Sequence, residues 1–169
     1  SISLDSHEQW NTPFGNIEQD KEFISELNLP FSNIAHQNEH SGEVMLPLLQ
    51  HFNKGNFKVV MITLSQQNSQ NAELLASRID SAAKKLSKNI MLIASSDFTH
   101  FKDVTTSKTL DNLVLEQIEK KDVEGVEKVV RQYNISVCGF GPIMCLMDYA
   151  KLQGGCTSKI IERGHSAEV

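Results

Sequence analysis

Between Phe57 and Ser95 the chain runs through an apolar stretch, a helical stripe and a second apolar stretch, and no other feature constrains the fold as strongly. Phe57–Leu64 (FKVVMITL) and Asn89–Ser95 (NIMLIAS) are short, rich in aliphatic and β-branched residues, and continuous rather than alternating, as strands covered on both faces are. Between them Leu74, Leu75, Ile79, Ala82, Ala83 and Leu86 form one stripe of a helix over Gln70–Leu86, with Asn68 or Ser69 as its N-cap. A strand, helix and strand joined at this length form a βαβ unit, whose strands are parallel. The expectation is an α/β domain with a mostly parallel central sheet and helices on both faces.

The rest of the chain is predicted to be helical for the most part. Lys108–Lys120, Val123–Tyr133 and Ile143–Leu152 carry apolar residues at helical spacing, and Pro142 suits a first turn. Gly154-Gly155 ends the last of these, and Cys156–Ile161 is predicted as a final strand. Upstream, Ser41 is placed to cap a helix from Gly42 to Phe52, in which Pro47 implies a kink or a broken first turn. No linker interrupts the 169 residues, so they read as a single domain.

A net charge of −5 excludes a general nucleic-acid binder, which needs an excess of Lys and Arg to neutralise phosphates. The apolar runs are too short to cross a bilayer, and Ser1–Phe14 reads as polar throughout, with no signal peptide. Three cysteines without a repeating spacing make no disulfide framework, so a cytoplasmic setting is expected.

Three short segments carry the residues capable of chemistry. In Ile93–His100 a buried strand runs directly into Ser95, Ser96, Asp97 and His100, at the carboxyl end where α/β sheets bind ligands. A carboxylate three residues from an imidazole either fixes it as a base or metal ligand, or caps the next helix and leaves the imidazole at the surface. Glu39-His40-Ser41-Gly42-Glu43 fits a metal site through His40 and Glu43, although taken alone the spacing favours a capping box. In Cys138-Gly139-Phe140-Gly141-Pro142, two glycines beside a thiol allow close backbone approach to a ligand at a helix start. The alternative for Cys138 is a buried cysteine acting as a small hydrophobe, the reading given to Cys145 and Cys156. His7, His36 and His51 are expected at the surface.

Taken together, Glu39-His40-Ser41-x-Glu43 with Leu46-Pro47, Ala94-Ser95-Ser96-Asp97-Phe98-x-His100 and Cys138-Gly139-x-Gly141-Pro142-Ile143 resemble the Memo family, also called AmmeMemoRadiSam system protein B. Thr12-Pro13 and Gly164-His165-Ser166 fall where that family has similar short motifs. The resemblance implies a fold similar to the catalytic subunit of the protocatechuate-type (class III) extradiol dioxygenases. It also implies a metal, iron or copper, held through His40 and Cys138, with Asp97 and His100 lining the site as acid, base or supporting groups. Glu39, Ser41, Glu43, Ser96, Gly139 and Gly141 complete the expected pocket. The family has a further segment with a proline-histidine-alanine-glycine motif before the point matching Ser1, and a strand after the point matching Val169, so the resemblance implies a chain trimmed at both ends. Phe140 stands where the family often has arginine.

Three functions are compatible with these residues. One is a metal-dependent redox enzyme related to the dioxygenases, acting on a small molecule. A second is a non-catalytic adaptor that recognises a peptide or partner in the same pocket; the family name implies a functional link to a radical SAM protein. A third is a cysteine hydrolase using Cys138, His100 and Asp97. No nucleic-acid or membrane partner is expected.

Overall fold

A computed structural model describes residues 1–53 and 57–168. In chain order these form β1 (Ile2–Leu4), a hairpin of β2 (Gln9–Thr12) and β3 (Gly15–Glu18), the helices α1 (Lys21–Leu27), α2 (Asn33–Gln37) and α3 (Met45–Phe52), then β4 (Ile62–Leu64). Four longer helices follow: α4 (Ser69–Leu86), α5 (Val104–Lys120), α6 (Val123–Gln132) and α7 (Phe140–Leu152). The architecture is α/β, with the helices dominant.

The sheet differs from the parallel arrangement expected. β1 pairs antiparallel with β4, Ile2 opposite Leu64 and Leu4 opposite Ile62, and β2 pairs antiparallel with β3. Among the described residues the parallel pairings are isolated bridges, Leu4 with Phe31 and Gln19 with Val59. Of Phe57–Leu64 only the last three residues form a ladder, and Asn89–Ser95 joins none among the described residues. Instead Ile90 and Leu92 pack on the core while Met91 and Ile93 face outward. Burial thus alternates with the two-residue period of an extended chain, and one face alone satisfies the apolar requirement. An apolar run fixes extension, not the choice of ladder partner. Ser1–Phe14, read as polar, contributes the buried β1. Cys156–Ile161 forms no strand; it lies exposed, with nothing packed over Ile161.

The helices follow their sequence signals closely. Asn68 caps α4, its side chain accepting from the Asn71 N–H at 2.8 Å, and Asp103 and Asp122 cap α5 and α6 in the same way. Both prolines fall third in their helices, Pro47 in α3 and Pro142 in α7. There the backbone lacks an intrahelical acceptor, so a missing N–H costs nothing. α4 packs most extensively on α7, and Ala72, Leu75, Ala76, Ile79 and Ala83 of α4 share one buried core with Met144 and Cys145 of α7. No helix among the described residues is long and apolar enough to cross a membrane.

Asp20 ties α1 to the end of α4. Its carboxylate accepts from the Phe23 N–H at 3.0 Å and from the Lys88 ammonium at 2.8 Å. Burial opposes its ionisation, but Lys88 and the Phe23 N–H outweigh that and hold the carboxyl below the usual range. A depressed carboxyl stabilises the fold above the ordinary carboxyl range, and the contribution disappears as pH falls through the folded-state value. Asp20→Ala is therefore expected to cost about 1–2 kcal/mol in urea unfolding at pH 7. The difference from the parent should shrink on acidification; a constant difference down to strongly acidic pH would contradict it.

Candidate functional site

The site forms where the stretch after α6 meets residues 95–100. Ile135 and Val137 are buried and alternate with exposed Ser136 and Cys138, so an extended chain turns Ser136 and Cys138 to the same side. That side faces Ser96–His100. The Ser96 hydroxyl accepts from the Gly139 N–H at 2.9 Å, the Asp97 N–H donates to Cys138 Sγ at 3.1 Å, and the Cys138 N–H donates to the Asp97 carbonyl at 3.2 Å. The His100 N–H donates to Ser136 Oγ at 2.7 Å. The third segment joins through Ser95, whose hydroxyl donates to the Ser41 carbonyl at 2.8 Å. Hydrogen bonds therefore bring together the three motif segments.

Within this junction His100 is the most closely oriented side chain. Its Nδ1 lies 2.7 Å from the Ser136 carbonyl. A carbonyl only accepts, so Nδ1 carries the proton and Nε2 presents its lone pair. Nε2 lies 3.7 Å from Asp97 Oδ2, and the Asp97 side chain is 87% exposed. The carboxylate therefore faces open space beside the imidazole rather than capping a helix; α5 is capped by Asp103 instead. Cys138 is exposed, unlike the buried alternative considered for it. Its sulfur contacts the Asp97 backbone, and no hydrogen bond to His100 occurs among the described residues. The thiol–imidazole contact that a cysteine hydrolase uses is thus not formed here.

Gln67 clamps the cysteine loop, a role no motif signals. Its Nε2 donates to the Cys138 carbonyl at 2.7 Å and its Oε1 accepts from the Gly141 N–H at 2.6 Å. Arg131 donates to the Gln67 carbonyl at 2.8 Å and is itself paired with Glu127. The only sequence hint is a polar residue in the loop between a strand and a helix. Gln67→Ala removes two hydrogen bonds and is expected to cost about 1–2 kcal/mol. It should also speed reaction of Cys138 with a maleimide; an unchanged rate would show that the loop is held by other contacts.

Residues 41–44 form a turn ahead of α3, with 39–40 leading into it, rather than a helix cap. α3 begins at Met45, and its N-cap Val44 makes no side-chain cap bond. The Ser41 N–H donates to Glu39 Oε1 at 2.8 Å, closing the turn locally. This bond and the Ser41 hydroxyl, with His40 nearby, hold the Glu39 carboxyl below the usual range. His40 and Glu43 are exposed. Glu39, Ser41 and Ser95 line a cavity of about 150 Å³ lying between residues 60–64 and 92–95.

Two histidines expected at the surface have partners. His36 is buried, its Nε2 3.2 Å from the Ser3 carbonyl, and it lines that cavity. His7 is 63% exposed, but its Nδ1 lies 2.6 Å from the fully buried carboxyl of Asp5. Gln19 holds Asp5 from the other side at 2.9 Å. This carboxylate–imidazole pair is of the kind that fixes a tautomer and aims the remaining nitrogen outward. Its signal was the spacing Asp5-x-His7 at the end of a strand, which the polar reading of the first residues hid. Cys145 is buried as expected, and burial, reinforced by Asp148, pushes its thiol up to about 12. Cys156, expected to be buried, is exposed.

Thiol, imidazole and carboxylate make a donor set chemically suited to iron or copper. Among the described residues, however, no three His, Cys, Asp or Glu side chains are grouped so as to hold a metal ion. The donor types fit such a metal, and their number at one point does not.

The profile of the Memo-like protein family matches residues 1–169. A MEMO1 family protein of Methanobrevibacter smithii is 39% identical over 173 residues, covering 99% of this chain and 61% of the relative. One of Methanosarcina barkeri is 34% identical, covering 100% of this chain and 64% of the relative. Another, of Sulfolobus acidocaldarius, is 35% identical, covering 90% and 56%. The chain thus spans about six tenths of the length of the curated relatives it matches. With the three motif segments joined in space and the match running from end to end, this chain belongs to the Memo-like protein family.

Proposed function

We propose that this Memo-like chain supplies one wall of a redox-metal pocket, for iron or copper, with further donors needed beyond the grouped side chains described above. Cys138 is the thiolate donor and His40 an imidazole donor, while Asp97 and His100 line the pocket. The observation that supports this reading best is the 2.7 Å contact of His100 Nδ1 with the Ser136 carbonyl. It fixes the imidazole and leaves Nε2 open to take a proton from a group bound beside Asp97. The metal, when bound, supplies one-electron exchange. The chain's own residues orient and exchange protons: Ser96 and Gln67 hold the cysteine loop, and Ser136 holds His100. The substrate is a small molecule reaching the exposed junction.

Equilibrium binding of Fe(II) and Cu(I) under exclusion of oxygen tests the proposal. Cys138→Ser and His40→Ala are expected to weaken binding at least ~100-fold, and Asp97→Asn about 10–100-fold, as losses of supporting groups do. Equal binding by all three variants and the parent would overturn it.

A further inference from the structure

Asp5 and His7 form a carboxylate–imidazole pair outside the three motif segments. The Asp5 side chain is fully buried, and the His7 side chain is 63% exposed. Three groups converge on the carboxylate: the His7 N–H at 3.2 Å, the Gln19 amide at 2.9 Å and His7 Nδ1 at 2.6 Å. A carboxylate only accepts, so Nδ1 carries the proton and Nε2 keeps its lone pair. Gln19 Nε2 also donates to the His7 carbonyl at 2.6 Å, while Gln19 Oε1 is buried with no partner among the described residues. Turning the amide round would set that oxygen against two acceptors. Leaving Oε1 unpaired is unfavourable, and holding both the carboxylate and the backbone of His7 entails it. Among the described residues neither side chain of the pair is bonded to a Lys or Arg.

We propose that His7 is a nucleophilic acyl-transfer site for small uncharged activated esters. Nε2 bonds to the acyl carbon, the ester C–O bond breaks, and the alcohol leaves with the bonding pair, taking a proton from water. The acylated ring carries a positive charge, which the Asp5 carboxylate offsets through the Nδ1 proton. Water then adds to the acyl carbon and the C–N bond breaks, its electron pair returning to Nε2. The balance is ester plus water to acid plus alcohol, with no oxidant or reductant. A phosphoryl donor is disfavoured, because its charge calls for Lys, Arg or a metal beside the acceptor. The inference goes beyond the metal reading and does not depend on it.

Release of p-nitrophenolate from p-nitrophenyl acetate tests the proposal. The protein is chelator-treated and metal-free, so the outcome is independent of metal affinity. Cys138 and Cys156, both exposed, are alkylated beforehand so that no accessible thiol competes. His7→Gln is expected to slow release at least ~10-fold. His51→Gln serves as the comparison, because His51 is also exposed and belongs to no carboxylate pair among the described residues; it should leave the rate unchanged. Asp5→Asn, its fold checked by circular dichroism, should slow release about as much as His7→Gln by removing the charge that offsets the acylated ring. A second measurement needs no variant: in the parent, diethyl pyrocarbonate should acylate His7 at least ~5-fold faster than His51, read by peptide mass mapping. The proposal is overturned if His7→Gln or folded Asp5→Asn keeps the parent's rate, if His51→Gln slows release as much as His7→Gln, or if His7 and His51 are labelled equally fast.

Discussion

Replacing Gly139 by alanine is expected to destabilise the protein by about 1–3 kcal/mol and to separate the cysteine loop from Ser95–Asp97. A Cβ at Gly139 would sit 2.6 Å from Ser96 Cβ and closer still to the Ser95 carbonyl oxygen. The φ of this residue is −117°, open to any amino acid, so the requirement is for space. Backbone cannot yield as a flexible side chain does, and moving it breaks the Gly139 N–H bond to Ser96. Gly141→Ala provides the comparison, because the atoms nearest its Cβ belong to the Gln67 side chain at 3.0–3.1 Å, a tight contact without the overlap with backbone found at Gly139. Chemical denaturation of the two variants should rank Gly139→Ala as clearly the worse. Equal stability would mean that the two segments are not in contact.

Met144→Ala should cost about 2–5 kcal/mol, as truncating a fully buried side chain of this size does. Met144 is fully buried in α7, the helix that packs most extensively on α4. Close approach of the helices leaves little room for neighbours to collapse into the vacated volume, so the cavity remains. Met144→Leu, which nearly conserves volume, should cost less than about 1.5 kcal/mol. Similar losses for both variants in urea unfolding would show that the helix interface adjusts freely.

The helices were legible because their signals are local. Asn68, the stripe from Leu74 to Leu86 and Gly154-Gly155 each act within a turn or two, and the observed ends fall within a few residues of those expected. Phe57–Leu64 and Asn89–Ser95 were legible as extended segments but not as a sheet. The pairing of β4 with Ile2–Leu4 joins segments some sixty residues apart, and no periodicity records such a choice. The site divides along the same line. Asp97, His100 and Cys138 were legible as candidates because ionisable side chains stand out at strand and helix ends. Gln67 and Ser136 were missed because they work through backbone atoms of other loops, which any polar residue of suitable reach could contact. His36 was misplaced because nothing in its own helix indicates Ser3 and Thr63 above it.

X-ray absorption at the metal edge, on protein loaded with Cu(I) or Fe(II) without oxygen, tests the metal-pocket proposal most directly. One sulfur scatterer is expected at about 2.3 Å, with nitrogen or oxygen donors nearer 2.0 Å, and the sulfur should vanish in Cys138→Ser while the fold is retained. A spectrum with no sulfur in the parent, or one unchanged by Cys138→Ser, would contradict the assignment of Cys138 as a metal ligand.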